Sequence, residues 1–97
     1  MLYITLMQIT KLNSTNHDNK LRSIKSINSI VLHYTGMQSE RESLKRLLNP
    51  NSKVSCHYLI NRKGKIMQMV KENKIAWHAG VSRWKNIKNL NQNSIGI

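Results

Sequence analysis

Apolar residues change their spacing several times along this chain, and each change marks an element. Residues 10–28 (TKLNSTNHDNKLRSIKSIN) hold no sustained period and are rich in Asn, Ser and Lys, which predicts an irregular arm over residues 1–27. Residues 29–35 (SIVLHYT) then form a continuous β-favouring run, the pattern of a strand covered on both faces. Gly36 ends that run. Ser39 with Glu42 three positions on has the form of a capping box, and Leu44, Leu47 and Leu48 share one face of the helix it would open. Asn49 and Pro50 stop that helix. Residues 54–61 (VSCHYLIN) alternate, with Val54, Cys56, Tyr58 and Ile60 on one face. Residues 62–65 turn the chain and residues 66–70 return, predicting a hairpin. Residues 71–93 read as mostly loop, holding both tryptophans, and residues 94–97 open another strand that stops without a cap or polar tail. The order strand, helix, hairpin, strand predicts an α/β fold in one small domain, residues 28–97.

Composition changes this picture little. Ninety-seven residues allow one small domain. Sixteen basic against four acidic residues give a net charge of +12, which raises nucleic acid or an anionic surface as a partner. The Lys and Arg residues are spread along a sequence full of Lys, Asn and Ile, with one Pro and no Phe, and that favours compositional drift over a dedicated polyanion surface. Cys56 is the single cysteine, which excludes an internal disulfide and a Cys-based zinc knuckle. No apolar run approaches the roughly 20 residues of a membrane span. The opening residues lack the basic leader and small-residue cleavage site of a signal peptide, and both cytoplasm and periplasm stay open as compartments.

Four histidines are the candidates for chemistry. His33 ends the apolar strand, where open sheets present functional groups, yet a lone histidine there is expected to be a core residue bonded to backbone. His57 lies on the strand face opposite Cys56 and Tyr58, and a structural role is expected. His78 sits in Trp77-His78-Ala79-Gly80, a loop setting that favours contact with a ligand. His17 is expected to be solvated. Imidazole is the common ligand of zinc, but there is no His-x-x-x-His pair and no Cys pair to support a zinc site. None of Asp18, Glu40, Glu42 and Glu72 is placed as an obvious general base.

Three ordered blocks carry more: SIVLHYTGM, KVSCHYLINRKGKIMQMV and AWHAGVSRWKNIKNLNQNSIGI. Together they resemble successive stretches of the AmiD- and AmpD-like zinc-dependent N-acetylmuramoyl-L-alanine amidases, a superfamily that includes phage T7 lysozyme and the peptidoglycan recognition proteins. Ser14-Thr15-Asn16-His17-Asp18 is similar to the S-P-N-x-D stretch before the first strand of bacterial members. The resemblance covers roughly residues 14–97 and implies a truncated amidase fold, a mixed central sheet with a flanking helix, its C-terminal elements missing. It also implies hydrolysis of the amide between N-acetylmuramic acid and the L-alanine of the stem peptide. Zinc, held by two histidines and an Asp or Cys, would polarise the carbonyl and activate water.

Residue by residue, the resemblance makes His33 the first zinc ligand. Trp77, His78 and Ala79 match the loop bordering the substrate groove. Asn91 matches the strand approach, counted with the substrate-binding residues, and Ser94, Ile95, Gly96 and Ile97 match the strand before the general base, a Glu expected just after Ile97. Cys56 stands where relatives carry Ser, Ala or a catalytic Tyr; a small buried strand residue is expected there. The remaining zinc ligands would lie downstream, so the chain alone is expected to be inactive and poorly folded, with its last strand at an exposed edge. Two other readings stay open. One is a non-catalytic peptidoglycan- or muropeptide-binding fragment. The other is a small basic nucleic-acid-binding protein, although no helix-turn-helix, zinc-finger or RNP-like pattern is present. Oligomeric state is not set by the sequence.

Overall fold

In a computed structural model, residues 8–80, 83–84 and 87–97 are described. The helix forms as its sequence dictates. Ser39 is extended and its Oγ accepts the Glu42 amide at 3.2 Å, so one of the orphan donors of α1 (Glu40–Leu48) is satisfied. Ser43 is the buried residue of α1 and ties its hydroxyl back to the Ser39 carbonyl, while Leu44, Leu47 and Leu48 are half-buried. Asn49 caps the C-terminus, and Pro50 opens a short 3-10 turn.

The strands in chain order are β1 (Ile9–Lys11), β2 (His17–Leu21), β3 (Ser29–Val31), β4 (Tyr58–Ile60), β5 (Ile66–Gln68), β6 (Lys74–Ala76), β7 (Arg83–Trp84), β8 (Ile87–Lys88) and β9 (Ser94–Gly96). β4 and β5 form the expected hairpin, and Gly64 (φ +82°) turns it while Asn61 Oδ1 accepts the amides of Lys63 and Lys65. β5 also pairs in parallel with β1. β9 runs parallel to β3 in the register Ser29↔Ser94, Ile30↔Ile95, Val31↔Gly96, and the bond from His33 N to the Ile97 carbonyl (2.7 Å) extends that ladder. On its other side β9 meets the segment leading into β4: the His57 amide donates to the Gly96 carbonyl at 3.0 Å. The described strands thus form a three-stranded mixed sheet, β1-β5-β4, and three two-stranded pairs, β2–β6, β3–β9 and β7–β8, with α1 beside them: the α/β fold with mixed sheet and helix that was expected.

Three expectations need correction. Residues 9–21 are not irregular: β1 pairs with β5, and β2 pairs antiparallel with β6 across an irregularity in register. These strands are short and polar because they gain order from backbone pairing and side-chain bonds more than from apolar burial. Second, residues 71–93 are more than loop, since they contain β6 and the ribbon β7–β8. Third, β9 is no exposed edge. It is buried throughout, inserted between β3 and His57, and β3 is the outer member. β3 accordingly leaves Ile30 (64%) and Leu32 (76%) open to solvent, where cover on both faces was expected.

The apolar core is small: Cys56, Met67, Met69, Val70, Ala76 and Ile95. Buried polar residues supplement it, and each is bonded. Ser14 Oγ donates to the Leu47 carbonyl, and Asn16 Nδ2 donates to the carbonyls of Asn49 (2.9 Å) and Val54 (2.9 Å), with Ser52 Oγ at 3.3 Å. Ser55 Oγ donates to the Asn16 carbonyl and accepts the Trp77 amide. The arm is thereby sewn to the end of α1. Asn16→Ala strands two carbonyls in a nearly dry site and is expected to cost about 2 kcal/mol in urea denaturation. Asn16→Asp, which keeps the shape but has no donor, should be no better.

Candidate functional site

His33 leaves the end of β3 and is exposed, not folded into the core as a lone strand histidine would be expected to be. Its Nε2 lies 2.9 Å from His78 Nδ1, and the two rings meet edge-on with centroids 5.1 Å apart. The Trp77–Gly80 loop therefore reaches across β9 to the end of β3. Gly96 makes this possible: a Cβ there would lie 2.4 Å from His78 Cγ, so the imidazole sits directly on bare backbone. Asn91 Oδ1 accepts the amides of His78 (3.1 Å) and Ala79 (2.8 Å) and so holds the loop down. Trp77 is half-buried, its Nε1 donating to Asp18 Oδ1 at 2.7 Å.

A cavity of about 160 Å³ opens beside the pair, with His33, His78, Ile97, Cys56, Leu47 and Leu59 in its wall. Trp77, Ala79 and Asn91 do not line it. Through Thr35, Met37, Ser43 and Leu59 it adjoins a groove of about 520 Å³ running past Asn61, Arg62 and Lys63. Cys56 is buried in its strand and also in the cavity wall; burial pushes its thiol up to about 12, so it is a neutral packing group with its Sγ 3.9 Å from Met69 Sδ.

His57 is fully buried and structural, as expected. The Gly96 amide donates to its Nδ1 at 3.1 Å, so Nε2 carries the proton and donates to the Lys74 carbonyl at 2.8 Å. Burial pulls its pKa down, with the Arg22 charge acting in the same direction. Burial likewise lowers His78 to about 4, assisted by electrostatic repulsion from the neighbouring His33, His57 and Arg22 side chains. Both rings are thus neutral in the fold. The unfolded chain takes up these protons below about 6.5, whereas folded His78 does so only near 4. Stability should be complete above pH 6.5 and fall steadily as the pH drops toward 4. Urea midpoints that stay flat between pH 7 and 5 would contradict this.

One residue of the site was invisible in the sequence. Arg22, in the supposed arm, donates from Nε to the Glu72 carbonyl (2.9 Å), from Nη1 to Asn91 and Gln92 (3.0 Å each) and from Nη2 to Ser94 (2.9 Å). It thereby fixes the segment carrying Asn91 and Ser94. Backbone carbonyls leave no mark in the residue pattern; only the likeness of Ser14–Asp18 to a family motif hinted that this region docks.

Residues 23–97 match the N-acetylmuramoyl-L-alanine amidase family, most of the chain. The chain belongs to that family. N-acetylmuramoyl-L-alanine amidase AmiD of Escherichia coli (strain K12) is 41% identical over 78 residues, covering 73% of this chain and 27% of AmiD. The solved complex of E. coli AmiD with anhydro-N-acetylmuramic acid-L-Ala-D-gamma-Glu-L-Lys superposes with a TM-score of 0.64 at 38% identity, over 73% of this chain and 29% of that one. A crystal structure of an AmpD selenomethionine derivative gives a TM-score of 0.69 at 27% identity, over 99% of this chain and 64% of that one. The chain thus spans about a quarter of AmiD's length. Amidases of this family are generally zinc-dependent. Among the described residues no group of three His, Cys, Asp or Glu could hold a metal, whereas a catalytic zinc takes three protein donors; His33 is exposed, with no partner for its Nδ1 among those residues. No helix among the described residues is long and apolar enough to cross a membrane.

Proposed function

We propose that this chain supplies the first part of a peptidoglycan amidase, hydrolysing the amide between N-acetylmuramic acid and the L-alanine of the stem peptide. The observation that carries the reading is the position of His33: an open imidazole at the end of β3, beside a cavity, in a chain matching the amidase family over residues 23–97. His33 is the proposed first zinc ligand. When bound, zinc would polarise the scissile carbonyl. The chain's own residues shape and hold the surroundings of that ligand. Asn91 holds the amides of His78 and Ala79, His78 braces His33, and Cys56 and Leu59 line an apolar wall. In a polypeptide continuing past Ile97, the next residue would supply the general base. A muropeptide like the one in the AmiD complex is the proposed substrate.

The test is release of L-alanine-headed peptides from purified anhydro-muropeptide by the longest polypeptide the gene encodes. His33→Ala should lower the rate by at least about 100-fold, more than loss of an outer-shell partner costs. An unchanged rate in that variant sinks the reading. A second reading, binding without cleavage, is consistent with there being no group of three metal-ligating side chains among the described residues. Sedimentation of the chain with peptidoglycan that survives high salt, without peptide release, would establish it over attraction of a +12 chain to an anionic wall.

A further inference from the structure

Both ring nitrogens of His78 are engaged inside the protein, and the proton on each bond can be assigned from the far end. The Ser94 hydroxyl has one hydrogen, and the Leu90 carbonyl, 2.5 Å away, takes it. Ser94 Oγ must then accept in its other bond, 3.0 Å from His78 Nε2, so that nitrogen carries the proton. His78 Nδ1 is left bare. Its neighbour at 2.9 Å, His33 Nε2, must therefore be the donor. A neutral His33 then carries its proton on Nε2 and keeps its lone pair on Nδ1, the nitrogen that has no partner among the described residues. Three features keep the line rigid: Ser94 is fully buried, the His78 ring rests on Gly96, and Asn91 pins the His78 amide.

We propose that Ser94 and His78 form a positioning relay that fixes the tautomer of His33 and so makes Nδ1 the atom offered to the metal, an inference resting on the amidase reading. A ligating histidine ordinarily donates its second N–H to a carboxylate, carbonyl or water, which orients the ring. Here the acceptor is a second imidazole, itself oriented by a serine. His78 thereby acts through His33 and does not need to touch the substrate with its ring.

The experiment is NMR on the metal-free, ¹⁵N-histidine-labelled full chain near pH 7.5. Wild type should show a scalar coupling across the N–H···N bond joining the two rings, with the proton on His33 Nε2, and a bare Nδ1 on His33. Ser94→Ala removes the acceptor for His78 Nε2–H. It should convert His33 from one tautomer to a mixture and weaken or reverse the coupling, while Ser94→Thr, which restores the hydroxyl, should bring the wild-type pattern back. A wild-type spectrum with the shared proton on His78, or with no coupling, overturns the relay. So does a folded Ser94→Ala protein whose His33 stays in a single tautomer. Should both Ser94 variants fail to fold, the wild-type coupling still decides. The readout needs neither zinc nor muropeptide, so its failure removes the relay and leaves the amidase reading standing.

Discussion

Gly96→Ala should lower the melting temperature by about 10 °C, taking overpacking at about 1–3 kcal/mol and several degrees per kcal/mol for a domain this small. Gly96 does not have a positive φ, so alanine meets no backbone strain and the cost is steric. The added methyl would fall 2.4–2.8 Å from Cγ, Cδ2 and Nδ1 of His78. The ring cannot simply swing away, because Ser94 and His33 hold both nitrogens and Asn91 holds its amide. Nor can β9 retreat, since the Gly96 amide and carbonyl both bond to His57. A double-mutant cycle checks the cause: Gly96→Ala combined with His78→Ala should be less destabilised than the sum of the two singles. Strict additivity would show that the methyl and the ring do not compete for the same space.

Arg22→Ala should cost about 3 kcal/mol or more, because four carbonyl acceptors lose a charged donor in one step. Arg22→Lys should recover less than half of that. A single ammonium has the charge but not the planar fork that reaches Glu72, Asn91, Gln92 and Ser94 together. Chemical denaturation measures both. Hydrogen exchange adds a sharper check: the amides of His78 and Ala79, held by Asn91 Oδ1, should lose protection in Arg22→Ala before those of α1 do. Equal loss everywhere would mean that Arg22 stabilises the domain generally and does not specifically anchor the site.

Much of the scaffold was legible because its signals are local. The Ser39 cap, the Leu44–Leu48 face, the Asn49–Pro50 stop and the hairpin turn at Gly64 all depend on neighbours within a few positions. β1, β2 and β6 were not legible, since their sequences (ITK, HDNKL, KIA) have no apolar alternation and are ordered by distant backbone. β3 misled in the opposite sense. Its apolar run promised burial, but in the described structure one face carries Ile30 and Leu32 outward. At the site, the residue types were readable and their bonding was not. His33 alone looked like a core histidine; only the fold brings His78 to its Nε2 from 45 positions away. His57 was correctly expected to be structural, while the internal bonds of both His78 ring nitrogens and of Asn91 Oδ1 left no mark in the sequence.

The placement of β9 sets a schedule for the newborn chain. β3 and the His57 segment are both synthesised before residues 94–97, which pair with β3 on one side and bond to His57 on the other. A ribosome adding about 5–20 residues per second has released α1 and the hairpin before that wedge exists. Until it arrives, neither half can lock onto the other, and Arg22 waits without the carbonyls it is built to grip. Assembly of the β3–β9 pair is therefore a closing event that waits for residues 94–97.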